Sequence, residues 1–221
     1  MSKKLVIFGT GDIAQLAHRS FRLDSDYQVV AFTVDSTFIH ESQFCELPLV
    51  AFEEVVERYP PADYEMFVAI GYSKLNALRK EKYTHAKAMG YRLASYVSSA
   101  ATVLNDGAIG ENCFIFEDNT IQPFVQIGNN VMLWSGNHIG HHSVIGDHCF
   151  LASHVVVSGG VQLGVQCFVG VNATLRDRIK IGDRCVIGAG ALILSDAEAD
   201  GVYLGTATER SRVPSHRLRN L

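Results

Sequence analysis

The chain has 221 residues, of which 48% are hydrophobic and 19% charged, with a formal net charge of -4 at pH 7. This is ordinary globular composition, long enough for one large domain or two small ones, and it holds no basic excess to recommend nucleic acid as a partner. The first apolar run ends at Gly9, too short for a signal peptide or a membrane span, so the reading is a cytoplasmic protein without membrane insertion.

Lys4 to Phe8 reads as a buried strand, followed by the turn Gly9-Thr10-Gly11-Asp12 and a helical stretch to about Leu23; a second strand, Gln28 to Val34, ends at Asp35. A glycine-rich turn between strand and helix lets backbone N–H groups approach a phosphate, and an acidic residue ending the next strand accepts from a ribose or base. The same turn with no ligand is the bland alternative. Leu47 to Val50 reads as an edge strand, Phe52 to Tyr59 as a short helix, Tyr64 to Ile70 as a buried strand before Gly71, Lys74 to Met89 as a helix and Tyr91 to Val97 as a last strand. Alternating strands and helices predict a small parallel α/β sheet, with Gly9, Thr10, Gly11, Asp12, Asp35 and Gly71 gathered at one edge.

Past Ser98 the period changes. Every sixth residue from Val103 to Ile193 is Leu, Ile or Val, sixteen in succession, a run whose chance likelihood is on the order of one in a billion. The residue after each aliphatic is Gly at eight of the sixteen positions, expected where a chain bends sharply. Six residues per side and three sides per coil predict a triangular solenoid in which residues 18 apart stack. Cys113, Val131, Cys149, Cys167 and Cys185 then form one internal column, so the cysteines read as core packing rather than disulfides or metal ligands.

This repeat resembles the left-handed parallel β-helix acyltransferases. Joined to an N-terminal nucleotide-type domain, it is similar to the sialic acid O-acetyltransferase and bacillosamine or perosamine N-acetyltransferase group, from the GTGDIA turn through NHIGHHSVIGDH to GVYLGTATERSRV. The resemblance implies a Rossmann-like nucleotide-sugar domain over residues 1–98, a β-helix acyltransferase domain over 99–198 and a tail over 199–221. It implies acetyl-CoA as donor, no metal, a nucleotide-linked amino sugar as acceptor, and a homotrimer with the active site between subunits.

Five of the nine histidines, His138, His141, His142, His148 and His154, fall in this segment, none at an inward position. Stacking sets His141 and His142 one coil below Gly159 and Gly160, where open space and backbone N–H groups suit an acyl-pantetheine arm. By resemblance His141 is the catalytic base. His142 stands where the family usually has an acidic residue, and the group that orients the base stays open between His142 and a neighbour's carboxylate. Trp134 replaces a substrate-contacting Asn of the family, and His138 is a further candidate contact. The resemblance assigns Asp35 to the nucleotide base, Gly9 to Asp12 to phosphates, and Gly159, Val171 and Ala189 to coenzyme A. His148 and His154 read as solvated or interface side chains, and Arg210, Arg212, Arg217 and Arg219 as a solvated basic tail. Sugar O-acetylation is the near alternative. A γ-carbonic-anhydrase-like zinc enzyme fits the histidine spacing less well, and a non-catalytic trimerising scaffold is the third class.

Overall fold

The computed structural model describes residues 3–217. The first domain comprises β1 (Lys3–Phe8), α1 (Asp12–Leu23), β2 (Tyr27–Val34), β3 (Gln43–Phe44), β4 (Leu47–Ala51), α2 (Val55–Arg58), β5 (Glu65–Val68) and α3 (Ala77–Ala88). They form a five-stranded sheet of order β3-β4-β2-β1-β5, parallel except for the β3–β4 hairpin. Leu5 to Phe8 and Met66 to Val68 are buried as unbroken apolar runs because helices or the second domain cover both sheet faces. α1 buries Ala14, Ala17 and Phe21, at helical spacing, on one face, while α2 and α3 cover the other through Val55 and Ala86.

Tyr91 to Val97 does not complete this sheet. Leu93 makes one bridge to Met66, and Tyr96–Val97 instead pairs with Phe114–Ile115 as a first rung of the next domain. The segment divides its hydrogen bonds between the two domains, Ala94 N–H donating to Met66 and Tyr96 N–H to Cys113.

From there the chain is a left-handed parallel β-helix. Two-residue strands recur every six positions, and each pairs in parallel with the strand 18 residues on, as Phe114 with Met132 and Met132 with Phe150. Three sheets of seven, six and four strands make the faces of the prism. The covered face carries Phe114–Ile115, Met132–Leu133, Phe150–Leu151 and Phe168–Val169; the open face carries Thr120–Ile121, His138–Ile139 and Val156–Val157; the third face carries Gln126–Ile127 and Val144–Ile145. The six-spaced aliphatics fill the interior, and the column of Cys113, Val131, Cys149, Cys167 and Cys185 is fully buried with free thiols.

The glycines after those aliphatics are there for a different reason from bending. The left-handed backbone falls two residues later, at Asn130 (φ 56°), His142 (φ 60°), His148 (φ 63°), His154 (φ 59°) and their equivalents. At the glycines the constraint is stacking: a Cβ on Gly140 would lie 2.6 Å from the Gly159 nitrogen, and one on Gly146 2.7 Å from the Gly164 carbonyl carbon. Backbones at strand spacing, roughly 4.8 Å, leave no room for it.

The covered face is where the domains meet. Its outward residues Tyr96, Phe114, Met132, Phe150 and Phe168 are aromatic or apolar and mostly large, against the mixed row Thr120, His138, Val156, Thr174 and Leu192 on the open face. Phe67 of β5 packs on Phe114 at 5.3 Å and Phe21 of α1 on Tyr96 at 5.6 Å between ring centroids. The two domains thus share one continuous apolar cluster.

Candidate active site

Two of the prism's edges carry the candidate residues. On the first, between the covered and open faces, a cleft of about 500 Å³ opens toward the α/β domain, lined by Gly9, Thr10, Gly11, Asp12, Ile13, Leu16, Ala69, Ile70, Gly71, Tyr72 and Trp134. It lies where the strand order reverses between β1 and β5, the position at which open α/β sheets bind ligands. Trp134 stacks on Phe116 (centroids 5.0 Å, 19° between planes) and forms the β-helix side of the wall.

The two glycines of the turn have different causes. Gly9 has φ 122°, and a Cβ there would press on the Ala69 carbonyl oxygen at 2.8 Å, so the fold itself requires glycine. Gly11 is extended (φ -95°, ψ -171°) with nothing within 4 Å of its Cβ position. The fold has no need of glycine at 11. Asp35 does not join the other members of the cleft. Its Oδ1 accepts from Lys82 Nζ of α3 at 2.7 Å, and that ammonium sits over the rings of Phe8 and Phe52. A larger cleft, about 730 Å³, lies near Lys3, Lys4 and Arg92 at the opposite ends of β1 and β5, away from the switch point.

On the second edge, between the open and third faces, His141 and His142 are both exposed. His141 N–H donates to Gln122 Oε1 at 2.8 Å, its Nδ1 lies 3.0 Å from Nδ1 of His142, and the His142 ring leans on Phe124 with centroids 4.7 Å apart. The stacking over Gly159 holds: a Cβ on Gly159 would meet His141 Cε1 and Nε2 at 2.7 Å, and Gly160 N–H donates to the His141 carbonyl. The glycine therefore leaves the imidazole its place and keeps Nε2 against an open stretch of backbone.

The five histidines are a cluster in sequence and not in space. His138 lies on the open face, His141 and His142 on the second edge, His148 on the third edge and His154 on the first, its ring over Gly136. His142, His148 and His154 occupy left-handed backbone, where His, Asn and Asp are favoured over other side chains. That accounts for three of them without chemistry; His141 has no such backbone reason. Of the two readings of His148, solvated or at an interface, the chain by itself does not match the first. His148 is half-buried, 2.9 Å from Asn130 Nδ2 and edge-on to Tyr83, and desolvation pushes its pKa down to about 4. Among the described residues no group of three or more His, Cys, Asp or Glu is placed to hold a metal ion.

Gly159, Val171 and Ala189 share one rank in the repeat, two residues past an inward aliphatic, and their N–H groups donate to no acceptor among the described residues. They stand on different edges, however: Gly159 beside His141, and Val171 and Ala189 above Trp134 on the first edge. Within one chain the open face separates His141 and Gly159 from the cleft. Tyr72, Ile13 and Leu16 are cleft residues that sequence reasoning missed; the available signal was the aromatic outward row at Phe150 and Phe168, on which Tyr72 packs at 4.9 and 5.0 Å. Arg210, Arg212 and Arg217 are exposed, and Arg219 lies outside the described residues.

The family model described as bacterial transferase hexapeptide (six repeats) matches residues 124–159, and that of the hexapeptide repeat of succinyl-transferase matches 161–195. No curated protein matches by sequence. Among solved structures, the acetyltransferase domain of PglB from Neisseria gonorrhoeae FA1090 in complex with acetyl coenzyme A is similar at 18% identity and TM-score 0.82, over 93% of this chain and 97% of that one. PerB from Caulobacter crescentus, in complex with CoA and GDP-perosamine, is similar at 23% identity and TM-score 0.80, over 93% and 95%. WeeI from Acinetobacter baumannii AYE is similar at 18% identity and TM-score 0.76, over 92% and 97%. These likenesses establish a shared fold along nearly the whole chain.

Proposed function

We propose that this hexapeptide-repeat chain, folded as the sugar acetyltransferases above are, is an acetyl-CoA-dependent N-acetyltransferase acting on a nucleotide-linked amino-deoxy sugar. It works in the cytoplasm as a homotrimer with its active site between subunits. The observation that carries the reading is the His141 ring, bonded to His142 through Nδ1 and holding Nε2 beside Gly159.

In the tautomer that serves catalysis, His141 Nδ1–H donates to His142 Nδ1, and the Nε2 lone pair faces outward. The sugar amine attacks the thioester carbonyl carbon while Nε2 takes the amine proton; the tetrahedral intermediate collapses, the C–S bond breaks, and the thiolate leaves with that proton. The Gly159 N–H, without an acceptor among the described residues, is a donor for the developing oxyanion. A neutral imidazole stabilises the imidazolium less than a carboxylate does, which suits an amine better than a hydroxyl as nucleophile and favours N- over O-transfer.

The cleft beside Gly11 and Trp134 takes the nucleotide-linked sugar, and Val171 and Ala189 line the coenzyme's path along the same edge. A sugar reaching from that cleft meets His141 only where the first edge of one copy lies against the second edge of another, which supports the inter-subunit site. The test is acetyl transfer from acetyl-CoA to UDP-, dTDP- and GDP-linked amino sugars, followed by product mass. One of these is acetylated by the wild type and His141→Asn loses most of that activity; a His141→Asn protein as active as wild type overturns the assignment.

A further inference from the structure

Arg79, in the first turn of α3, is fully buried and makes no ion pair among the described residues. Its Nη1 donates to the carbonyls of Ile70 and Gly71 at 3.4 and 3.1 Å, and its Nη2 to those of Asn130, His148 and Cys149 at 3.2, 3.2 and 3.0 Å. The first two carbonyls belong to the wall of the cleft; the other three belong to neighbouring coils of the β-helix. A buried cation without a carboxylate is costly, and an apolar side chain would fill the space without that cost. Only the planar guanidinium fork satisfies carbonyls arriving from two domains at once.

The segment that follows the wall is strained. Lys74, Leu75 and Asn76 have φ 51°, 51° and 62°, three successive non-glycine residues in left-handed backbone. Such a run persists only where its surroundings over-determine it. Here Gln166 Nε2 donates to the Leu75 carbonyl at 3.0 Å and Asn76 Nδ2 to the Cys167 carbonyl at 3.1 Å, while the Tyr72 ring packs on Phe150 and Phe168. Residues 70–76 leave the sheet at β5 yet take their shape from the β-helix.

We propose that Arg79 is a positioning residue for acceptor binding: it fixes the Ile70–Gly71 wall against the β-helix backbone, so that the bound nucleotide is held in register with the first edge of the prism, against which the neighbouring copy's His141 is set. This rests on reading the cleft as the nucleotide-sugar site. Arg79→Lys keeps the charge and loses the fork, and Gln166→Ala removes a tether from a half-buried side chain outside the apolar core.

The experiment is calorimetric titration of wild type and both variants with UDP, dTDP, GDP and acetyl-CoA, followed by kinetics with the amino sugar that the wild type uses. Arg79→Lys weakens the preferred nucleotide, and raises KM for its sugar, about tenfold or more, with kcat and acetyl-CoA affinity held; Gln166→Ala does the same to a smaller degree. Unchanged nucleotide affinity in both variants overturns the proposal, as does an equal loss for acetyl-CoA, which marks a general structural role. Should Arg79→Lys fail to fold, Gln166→Ala decides alone by the same criteria. A wild type that binds acetyl-CoA but no nucleotide or amino-sugar nucleotide fails at the functional reading, a result distinct from the variant outcomes.

Discussion

His141 and His142, adjacent in sequence, turn their rings so that the two Nδ1 atoms lie 3.0 Å apart. One ring must donate and the other accept; with His141 Nδ1–H as the donor, the tautomer proposed for catalysis, its Nε2 is left basic. His142→Ala should lower kcat by about tenfold to a hundredfold, the usual cost of losing a ring-orienting partner, with both KM values little changed. His142→Asn, which tolerates the left-handed backbone and offers a carbonyl acceptor, should recover part of the loss. Steady-state kinetics checks both, and an unaffected His142→Ala enzyme would show that the pair is incidental.

Gly11 and Gly9 should separate binding from folding. Gly11→Ala meets nothing within 4 Å and should unfold at the wild-type denaturant midpoint while binding the sugar nucleotide more weakly. Gly9→Ala, at φ 122° and against the Ala69 carbonyl, should be destabilised by about 1–3 kcal/mol. Equal stability losses in the two variants would return the turn to a purely structural role.

The same contrast holds between two glycines of the β-helix. Gly146→Ala drives a Cβ into the backbone of the next coil and should cost about 1–3 kcal/mol of stability. Gly159→Ala meets only the His141 ring, a side chain that can swing away, so stability should fall less than in Gly146→Ala while transfer is lost as the imidazole is displaced. Denaturation midpoints and kcat measured on both variants decide it.

His148 makes a prediction about acid. Burial holds its pKa at about 4 against 6.5 for a free ring, with Lys80 and Arg79 pushing the same way and Asp147 opposing. The unfolded chain therefore takes up this proton first on acidification. The neutral ring's contribution is complete above pH 6.5 and is lost as pH falls towards 4. His148→Asn, suited to the left-handed backbone, should show a shallower loss of stability than wild type across that window; parallel curves would mean that the ring is solvated after all.

The architecture was largely legible in the sequence, because a β-helix repeats one local rule: an inward aliphatic every six residues, a small partner four positions on, and stacking at 18. Positions set by that rule, such as the cysteine column and His141 below Gly159, could be located by counting. Features decided by contact between the domains could not be counted. Asp35 reads as one of the cleft residues, whereas its carboxylate pairs with Lys82 of α3 outside the cleft lining, and Tyr91 to Val97 reads as one strand until its hydrogen bonds divide between two domains. The glycines of the repeat read as bends and are in fact stacking positions, since a Cβ clash between coils leaves the same sequence trace as a bend. The histidines misled in the opposite direction, their closeness in sequence dissolving once three of them are explained by left-handed backbone.

The central claim is that one active site needs the first edge of one copy and the second edge of another, and subunit mixing tests it most directly. Gly11→Val blocks the cleft, His141→Asn removes the base, and each trimer alone should be nearly inactive. Trimers reassembled from an equal mixture should regain about a quarter of the wild-type activity, because a quarter of the sites then pair an intact cleft with an intact His141 from the neighbouring copy. Activity no greater than that of the two separate variants, in mixed trimers verified by mass, would place both halves of the site in one chain and contradict the account.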